Sequence, residues 1–241
     1  MDMTKVGWPF PPMEFEPELA KTALLIIDMQ YCDAHPDYGL GKAIEACRPG
    51  AGAYYFDRLK KTTIPNIQRF LKFFRDNKLR VVHLTIGRWA EDGSDITRVY
   101  KWKDAFRSRV SGTKSAGLPL VGSFEHQILE EVKPLPGELV VNKNTSGAFS
   151  GSNLDTVLNN MGVEYLVATG VVTNGCVEST VRAAVDRGFF TILVDDACAA
   201  HSPDAHEATL KTFRHYSGMV KTTDETVRIL SRNLPKVAAR A

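Results

Sequence analysis

Three side chains able to cooperate in covalent chemistry lie far apart in the chain. Asp28 ends the run Ala23-Leu-Leu-Ile-Ile-Asp28, Lys143 follows Glu138-Leu-Val-Val-Asn142, and Cys176 closes Gly170-Val-Val-Thr-Asn-Gly-Cys176. A cysteine thiol titrates near pH 8.5 and is a weak nucleophile until its proton is removed. Cys176 stands where the amphipathic stretch to Gly188 must begin a helix, so free N–H groups and the positive dipole end favour thiolate. Asp28 can accept the proton, and Lys143 can stabilise the resulting charge. Such a thiolate attacks a carbonyl carbon. Backbone N–H groups around Val172 to Cys176 would hold the developing oxyanion, each well-aimed donor contributing about 3 to 4 kcal/mol. Asp28 could then protonate a departing amine and later activate water. The net reaction is metal-free hydrolysis of an amide-type C–N bond. Taken singly, each residue has an ordinary reading: a turn-forming Asp, a solvated Lys, a small buried Cys. Only a fold that brings them to one rim gives them joint meaning.

The surrounding pattern supplies such a fold. Apolar runs bounded by turn signals predict strands at 23–28, 80–86, 138–142, 165–172, 190–195 and 219–221, the first reading as a strand covered on both faces. Between them, helical spacing predicts helices at 64–77, 124–132, 152–161, from 176, 202–216 and from 223. Ser152 to Asp155 has capping-box-like spacing, and Ser202-Pro203 marks an N-cap and first turn. Six strands alternating with helices predict an α/β fold, a three-layer α/β/α sandwich with a six-stranded, mainly parallel sheet, in a single domain over residues 1–241. Residues 1–19 read as an irregular arm. Residues 31–62 and 87–117 read as pocket-shaping insertions, the latter with one helix around 100–109, although a solvated loop is the commoner meaning of its polar, basic composition. In a parallel sheet, Asp28, Lys143 and Cys176 all lie just past carboxyl ends of strands, where ligands bind in this architecture.

Composition narrows the class. The 241 residues are 44% hydrophobic and carry a net charge of +2, enough for one substantial core and too balanced to imply nucleic-acid or membrane partners. No stretch approaches a membrane span or a secretory leader, so a cytoplasmic protein is expected. Cys32, Cys47, Cys176 and Cys198 have no paired metal spacing and are expected as reduced thiols. His201, His206 and His215 lack the i, i+4 spacing of a metal pair and read as structural or surface residues. No glycine fingerprint for a dinucleotide follows the first strand. Neither a metal nor a cofactor is expected. Glu178 reads as support for the backbone beside Cys176. Trp89, Phe149 and Tyr216 are candidate substrate-binding aromatics, although each is more often simply packed.

From Thr22 to Leu230 the chain resembles the isochorismatase-like cysteine hydrolases. The resemblance rests on Leu25-Ile-Ile-Asp28-Met-Gln30, on Lys143 with Ser146-Gly-Ala-Phe149, and on Gly170-Val-Val-Thr-Asn-Gly-Cys176-Val-Glu-Ser-Thr180. It implies that Asp28, Lys143 and Cys176 are a catalytic triad. It also implies a cis Val171–Val172 peptide, with the Val172 and Cys176 N–H groups forming the oxyanion hole, and a homo-oligomer, dimeric or tetrameric. Nicotinamidases carry an Asp and His metal cluster after the second strand; Leu84-Thr-Ile-Gly-Arg-Trp-Ala-Glu-Asp has no such pair. Members that cleave the vinyl ether of isochorismate lack the nucleophilic cysteine, which is present here. The last motif looks most like the ureidoacrylate and biuret branch, implying a small-molecule amide or ureido substrate cleaved through a thioester. An N-carbamoyl amino acid or maleamate is an alternative substrate. A redox-sensing thiol and a catalytically silent binding scaffold are alternatives of another class.

Overall fold

A computed structural model describes residues 10–113 and 117–234. Of the irregular arm, residues 1–9 lie outside the described residues; 10–18 form no regular element. The strands are β1 (Thr22–Ile27), β2 (Arg80–Ile86), β3 (Leu139–Lys143), β4 (Tyr165–Val171), β5 (Phe190–Ala199) and β6 (Met219–Lys221). The helices are α1 (Tyr31–Ala34), α2 (Gly39–Cys47), α3 (Ala53–Arg58), α4 (Ile64–Asp76), α5 (Arg98–Ser111), α6 (Ala148–Gly151), α7 (Leu154–Asn160), α8 (Glu178–Val185), α9 (Pro203–Tyr216) and α10 (Thr223–Arg232). All strand pairings are parallel, in the order β3-β2-β1-β4-β5-β6. The chain winds outward from β1 through β2 to β3, returns to lay β4 on the other side of β1, and winds outward again. The crevice between the carboxyl ends of β1 and β4 is therefore the switch point, where an open α/β sheet binds ligands.

Strand alternation divides the core into two layers. Leu24 and Ile26 pack with Ile67, Phe70 and Phe74 of α4 and Leu230 of α10, while Leu25 and Ile27 pack with Leu158 of α7, Val181 of α8 and Phe213 of α9. β1 is buried along its whole length, which is why its sequence is continuously apolar rather than alternating. Phe70 and Phe74 retain no exposed surface, and burying each ring contributes about 2 to 3 kcal/mol. Ser202 caps α9 by accepting from the Ala205 N–H, with Pro203 in the first turn. No helix among the described residues is long and apolar enough to cross a membrane.

Several expectations need correction. Residues 124–132 are not a helix apart from the 3-10 turn Glu130–Val132. Their backbone pairs instead with the segment after β1: Tyr31 and Cys32 donate to Gln127 and Glu125 carbonyls, and Leu129 donates to Met29. Ser152 and Asp155 form no capping box; Ser152 Oγ accepts from Leu154 and donates to the Ala148 carbonyl, bridging α6 and α7. β5 runs on to Ala199 through a register shift against β4. Residues 31–62, which read as a long excursion with short helical pieces, comprise α1 to α3 and the wide π-type turn Leu59–Thr63.

Candidate active site

Asp28 is the first residue beyond β1. Its backbone turns into the left-handed region at φ 52°, a conformation unusual for a non-glycine residue and costing roughly 1 to 3 kcal/mol. Its N–H remains tied to the Leu84 carbonyl at 2.9 Å, so the turn bends the chain without detaching it from β2. Lys143, the last residue of β3, reaches across the end of β2: Nζ donates to Asp28 Oδ2 at 2.8 Å and to the Thr145 carbonyl at 3.2 Å. Ammonium and carboxylate are 0% and 1% exposed. Asp28 Oδ1 is buried and has no hydrogen-bond partner among the described residues. Cys176 lies in a wide π-type turn, Thr173–Val177, between β4 and α8, close enough to Asp28 for each group to perturb the other's ionisation.

The electrostatics follow from burial. Burial and then the Asp28 charge push the Cys176 thiol well up, against the pull of Lys143. The sulfur sits in the turn before α8 rather than on the helix itself, and burial and the Asp28 charge work against the thiolate that a helix start would favour. Burial raises the Asp28 carboxyl, with Lys143 opposing. For Lys143, burial acts downward, but the charges of Asp28 and Cys176 outweigh it and hold the ammonium above its ordinary value. The arrangement is a thiol beside a carboxylate that has one oxygen fixed by a permanent cation and one oxygen open. It can pass a proton from sulfur to Oδ1 and onward.

The turn bearing Cys176 is positioned from several sides. Gly170 has φ 112°, and a Cβ there would lie 2.1 Å from the Ile27 carbonyl oxygen, so only glycine lets β4 approach β1 this closely. The Val171–Val172 peptide is cis. The Val172 carbonyl accepts from the Gly175 and Val177 N–H groups at 2.9 and 3.3 Å. His206 Nε2 lies 2.9 Å from both Asp195 Oδ1 and Arg58 Nη2, and its Nδ1 lies 2.8 Å from the Thr173 hydroxyl, which ties the start of the turn to α9. Glu178 accepts from Arg182 and from Thr209 Oγ1, tying α8 to α9. Gln30 clamps β2 by accepting from the Ile86 N–H at 2.7 Å and donating to the Ile86 and His126 carbonyls.

The rim above holds residues that sequence reasoning did not single out. Burial raises the Asp33 carboxyl to about 6, with the Asp28 charge adding to it. The Tyr100 hydroxyl, on α5, lies 2.8 Å from Ser146 Oγ; burial and then the Cys176 charge push it up to about 12. Of the expected aromatics, Trp89 stands at the rim just past β2 with its side chain 65% exposed. Phe149 is a correction: it is buried in the core beside Phe189 and beneath Arg187. Tyr216 is another. α9 runs from the carboxyl end of β5 back to the amino end of β6, so its last residue lies at the edge opposite the rim. Among the described residues, no group of three His, Cys, Asp or Glu side chains is placed to hold a metal.

A doubly wound parallel sheet with a buried carboxylate, an ammonium and a thiol at its switch point defines an α/β protein equipped for nucleophilic chemistry. The isochorismatase domain model matches residues 22–225, and the chain belongs to the isochorismatase family; it is a hydrolase. It is 31% identical over 212 residues to the ureidoacrylate amidohydrolase RutB of Variovorax paradoxus (strain S110), covering 86% of this chain and 80% of that one. It is 29% identical over 233 residues to the RutB protein of Rhizobium rhizogenes (strain K84), covering 94% and 89%. Among solved structures, a cysteine hydrolase from Pseudomonas syringae pv. phaseolicola 1448A superposes with a TM-score of 0.72 at 24% identity, covering 93% of this chain and 99% of that one, and so shares the fold.

Proposed function

We propose that this hydrolase is a cysteine-dependent amidohydrolase that cleaves a C–N bond of a small amide or ureido compound through a thioester-type acyl-enzyme, with Asp28, Lys143 and Cys176 as its catalytic residues. The observation carrying this reading is the buried Lys143–Asp28 pair with Oδ1 open beside the Cys176 thiol. As sulfur attacks the substrate carbonyl, its proton passes to Asp28 Oδ1. Lys143 keeps the carboxylate oriented and balances the negative charge that moves between sulfur and Asp28. The oxyanion is assigned to the Val172 and Cys176 N–H groups, as the family resemblance implies; neither is among the N–H groups that the Val172 carbonyl engages, which are those of Gly175 and Val177. Asp28 returns its proton to the departing amine, and the C–N bond breaks. Water, deprotonated by Asp28, then cleaves the thioester, restoring the thiol and releasing an acid, which is a carbamate when the substrate is a ureide. The relatives named ureidoacrylate amidohydrolase support a ureido substrate over a simple carboxamide. Amine or ammonia release should be measured over a panel of ureides, carbamoyl amino acids and carboxamides. Turnover on ureides, lost in Cys176→Ala, is the expected result; turnover surviving in that variant sinks the assigned nucleophile.

A further inference from the structure

Behind the Cys176 turn lies a buried polar chain that packing alone does not require. Thr173, the first residue of the turn, and His206, near the start of α9, are both buried, and Thr173 Oγ1 lies 2.8 Å from His206 Nδ1. The other imidazole nitrogen, Nε2, is 2.9 Å from Asp195 Oδ1 of β5 and 2.9 Å from Arg58 Nη2 of α3. Arg58 is itself fixed: Nη2 donates to Asp195 Oδ1 at 3.2 Å and to the Asp195 carbonyl at 3.0 Å, and Nε donates to the Cys198 carbonyl at 3.0 Å. Leu210 and Phe213 already seat α9 on the core. A polar chain beside them costs desolvation, and what it supplies instead is one fixed geometry.

The geometry that needs such a fixture is that of the turn. Asn174 is exposed and Gly175 has no side chain, so the middle of the turn is not held by packing. Its ends are held instead: Val177 is buried in the core layer beneath α8, and Thr173 meets His206. The two N–H groups assigned to the oxyanion adjoin these anchors, Val172 preceding Thr173 and Cys176 preceding Val177. Resting on the amidohydrolase reading, we propose that His206, braced by Asp195 and Arg58, is a positioning residue: through the Thr173 hydroxyl it holds the turn so that the Val172 N–H joins that of Cys176 at the oxyanion formed when sulfur attacks the substrate carbonyl. An oxyanion hole works only when its donors are in place before charge develops, and a misplacement of about 1 Å costs on the order of a hundredfold in rate. Val177 keeps its end of the turn by packing, which a substitution at Thr173 leaves intact, and the sulfur neighbours that end. Loss of the link at Thr173 therefore moves one donor while the thiol stays beside Asp28.

The test compares full-length Thr173→Val, which keeps the shape and removes the hydroxyl, with Thr173→Ser, which keeps the hydroxyl, and with His206→Leu. Turnover supplies kcat and KM on the best ureide of the panel. Alkylation by iodoacetamide, followed at Cys176 by mass spectrometry, reads the sulfur alone, since iodide is displaced and no oxyanion forms. Propionaldehyde, assayed by its protection of Cys176, adds to sulfur while its oxygen takes up the thiol proton, and the tetrahedral thiohemiacetal places that oxygen in the hole. Thr173→Val and His206→Leu should each lower kcat about a hundredfold with KM unchanged and weaken propionaldehyde at least about tenfold, while alkylation proceeds at the unmodified rate. Thr173→Ser should stay close to the unmodified enzyme throughout, and the double variant Thr173→Val/His206→Leu should lose no more than either single one, because the two side chains act through one link. If one single variant fails to fold, the other carries the comparison. An undiminished kcat in Thr173→Val, an equal fall in alkylation and turnover, Thr173→Ser as impaired as Thr173→Val, no protection of the unmodified enzyme by propionaldehyde, or failure of both single variants to fold overturns the assignment. Absence of amide turnover by the unmodified enzyme sinks the amidohydrolase reading, whereas aldehyde binding that depends on the Thr173 hydroxyl leaves the positioning role standing.

Discussion

The two oxygens of Asp28 do different work, and this divides the consequences of substitution at the site. Oδ2 neutralises a fully buried ammonium, whereas Oδ1 is buried without a hydrogen-bond partner among the described residues. Asp28→Asn should therefore fail twice. Loss of the proton acceptor lowers turnover by about 10² to 10⁴, and the unpaired buried Lys143 destabilises the fold by about 3 to 5 kcal/mol. Cys176→Ser should lose turnover with a thermal midpoint within about 2 °C of the parent, since an unfolding free-energy change of 1 kcal/mol moves the midpoint of a chain this size by roughly 2 to 4 °C. Calorimetric melts beside amine-release assays check both, and an Asp28→Asn protein as stable as the parent would refute the account of Oδ2. Asp33 behaves in the opposite sense to a salt-bridged carboxylate. Its folded pKa of about 6 lies above the unfolded value, so the fold retains a proton that the unfolded chain releases, and stability falls as pH rises from about 4 to 6. Asp33→Asn should thus stabilise the protein above pH 6 and have no such effect near pH 4. Two pKa units correspond to roughly 3 kcal/mol, and the partial exposure of the residue reduces the expected gain to about 1 to 2 kcal/mol. Denaturant titrations at the two pH values read the difference directly.

At the scale of elements, the outermost strand β3 carries Lys143 at one end and is fastened at the other by Glu138. Arg75 of α4 grips both Glu138 oxygens at 2.7 and 2.9 Å, the Leu135 N–H adds a third bond, and His83 of β2 lies 3.2 Å away. Burial opposes ionisation there, but these partners prevail and hold the Glu138 carboxyl down to about 2. A depressed carboxylate contributes stability that is complete above its unfolded value near 4.5 and disappears as pH falls through about 2. Glu138→Gln should therefore lose about 2 kcal/mol at pH 7 and match the parent near pH 2, measured by denaturant unfolding at both. A constant difference across that range would mean the loss comes from packing rather than charge. These elements also show what a sequence discloses. β1 was legible because a strand covered on both faces must be apolar throughout, and Ser202-Pro203 was legible because a cap is a local signal. The motif residues Asp28, Lys143 and Cys176 were legible for the same reason, each sitting where a strand stops. Residues 124–132 misled because their apolar spacing suits a helix, while their hydrogen-bond partners lie about 95 positions away in the segment after β1. α5 was located but not oriented: periodicity assigns the apolar stripe to the inside, whereas Val99, Trp102, Phe106 and Val110 are exposed. His206 read as a structural or surface residue without named partners, because Asp195, Arg58 and Thr173 reach it through tertiary structure alone.

For the whole molecule, the same winding that creates the site divides the fold into a rigid and a yielding part. β1 and β4 meet at the switch point, flanked on both sides by paired strands and covered by helices on both faces, so opening their amides requires global unfolding. α5 has no buried residue; it packs against α2, and its hydrogen bonds to the rest of the fold include the Thr97 cap, Tyr100 to Ser146 and Asp104 to the Leu118 N–H. Amide hydrogen exchange should accordingly be slowest in β1 and β4 and faster by several orders of magnitude in α5. If α5 exchanges as slowly as β4, the helix is an integral part of the core rather than a yielding cover.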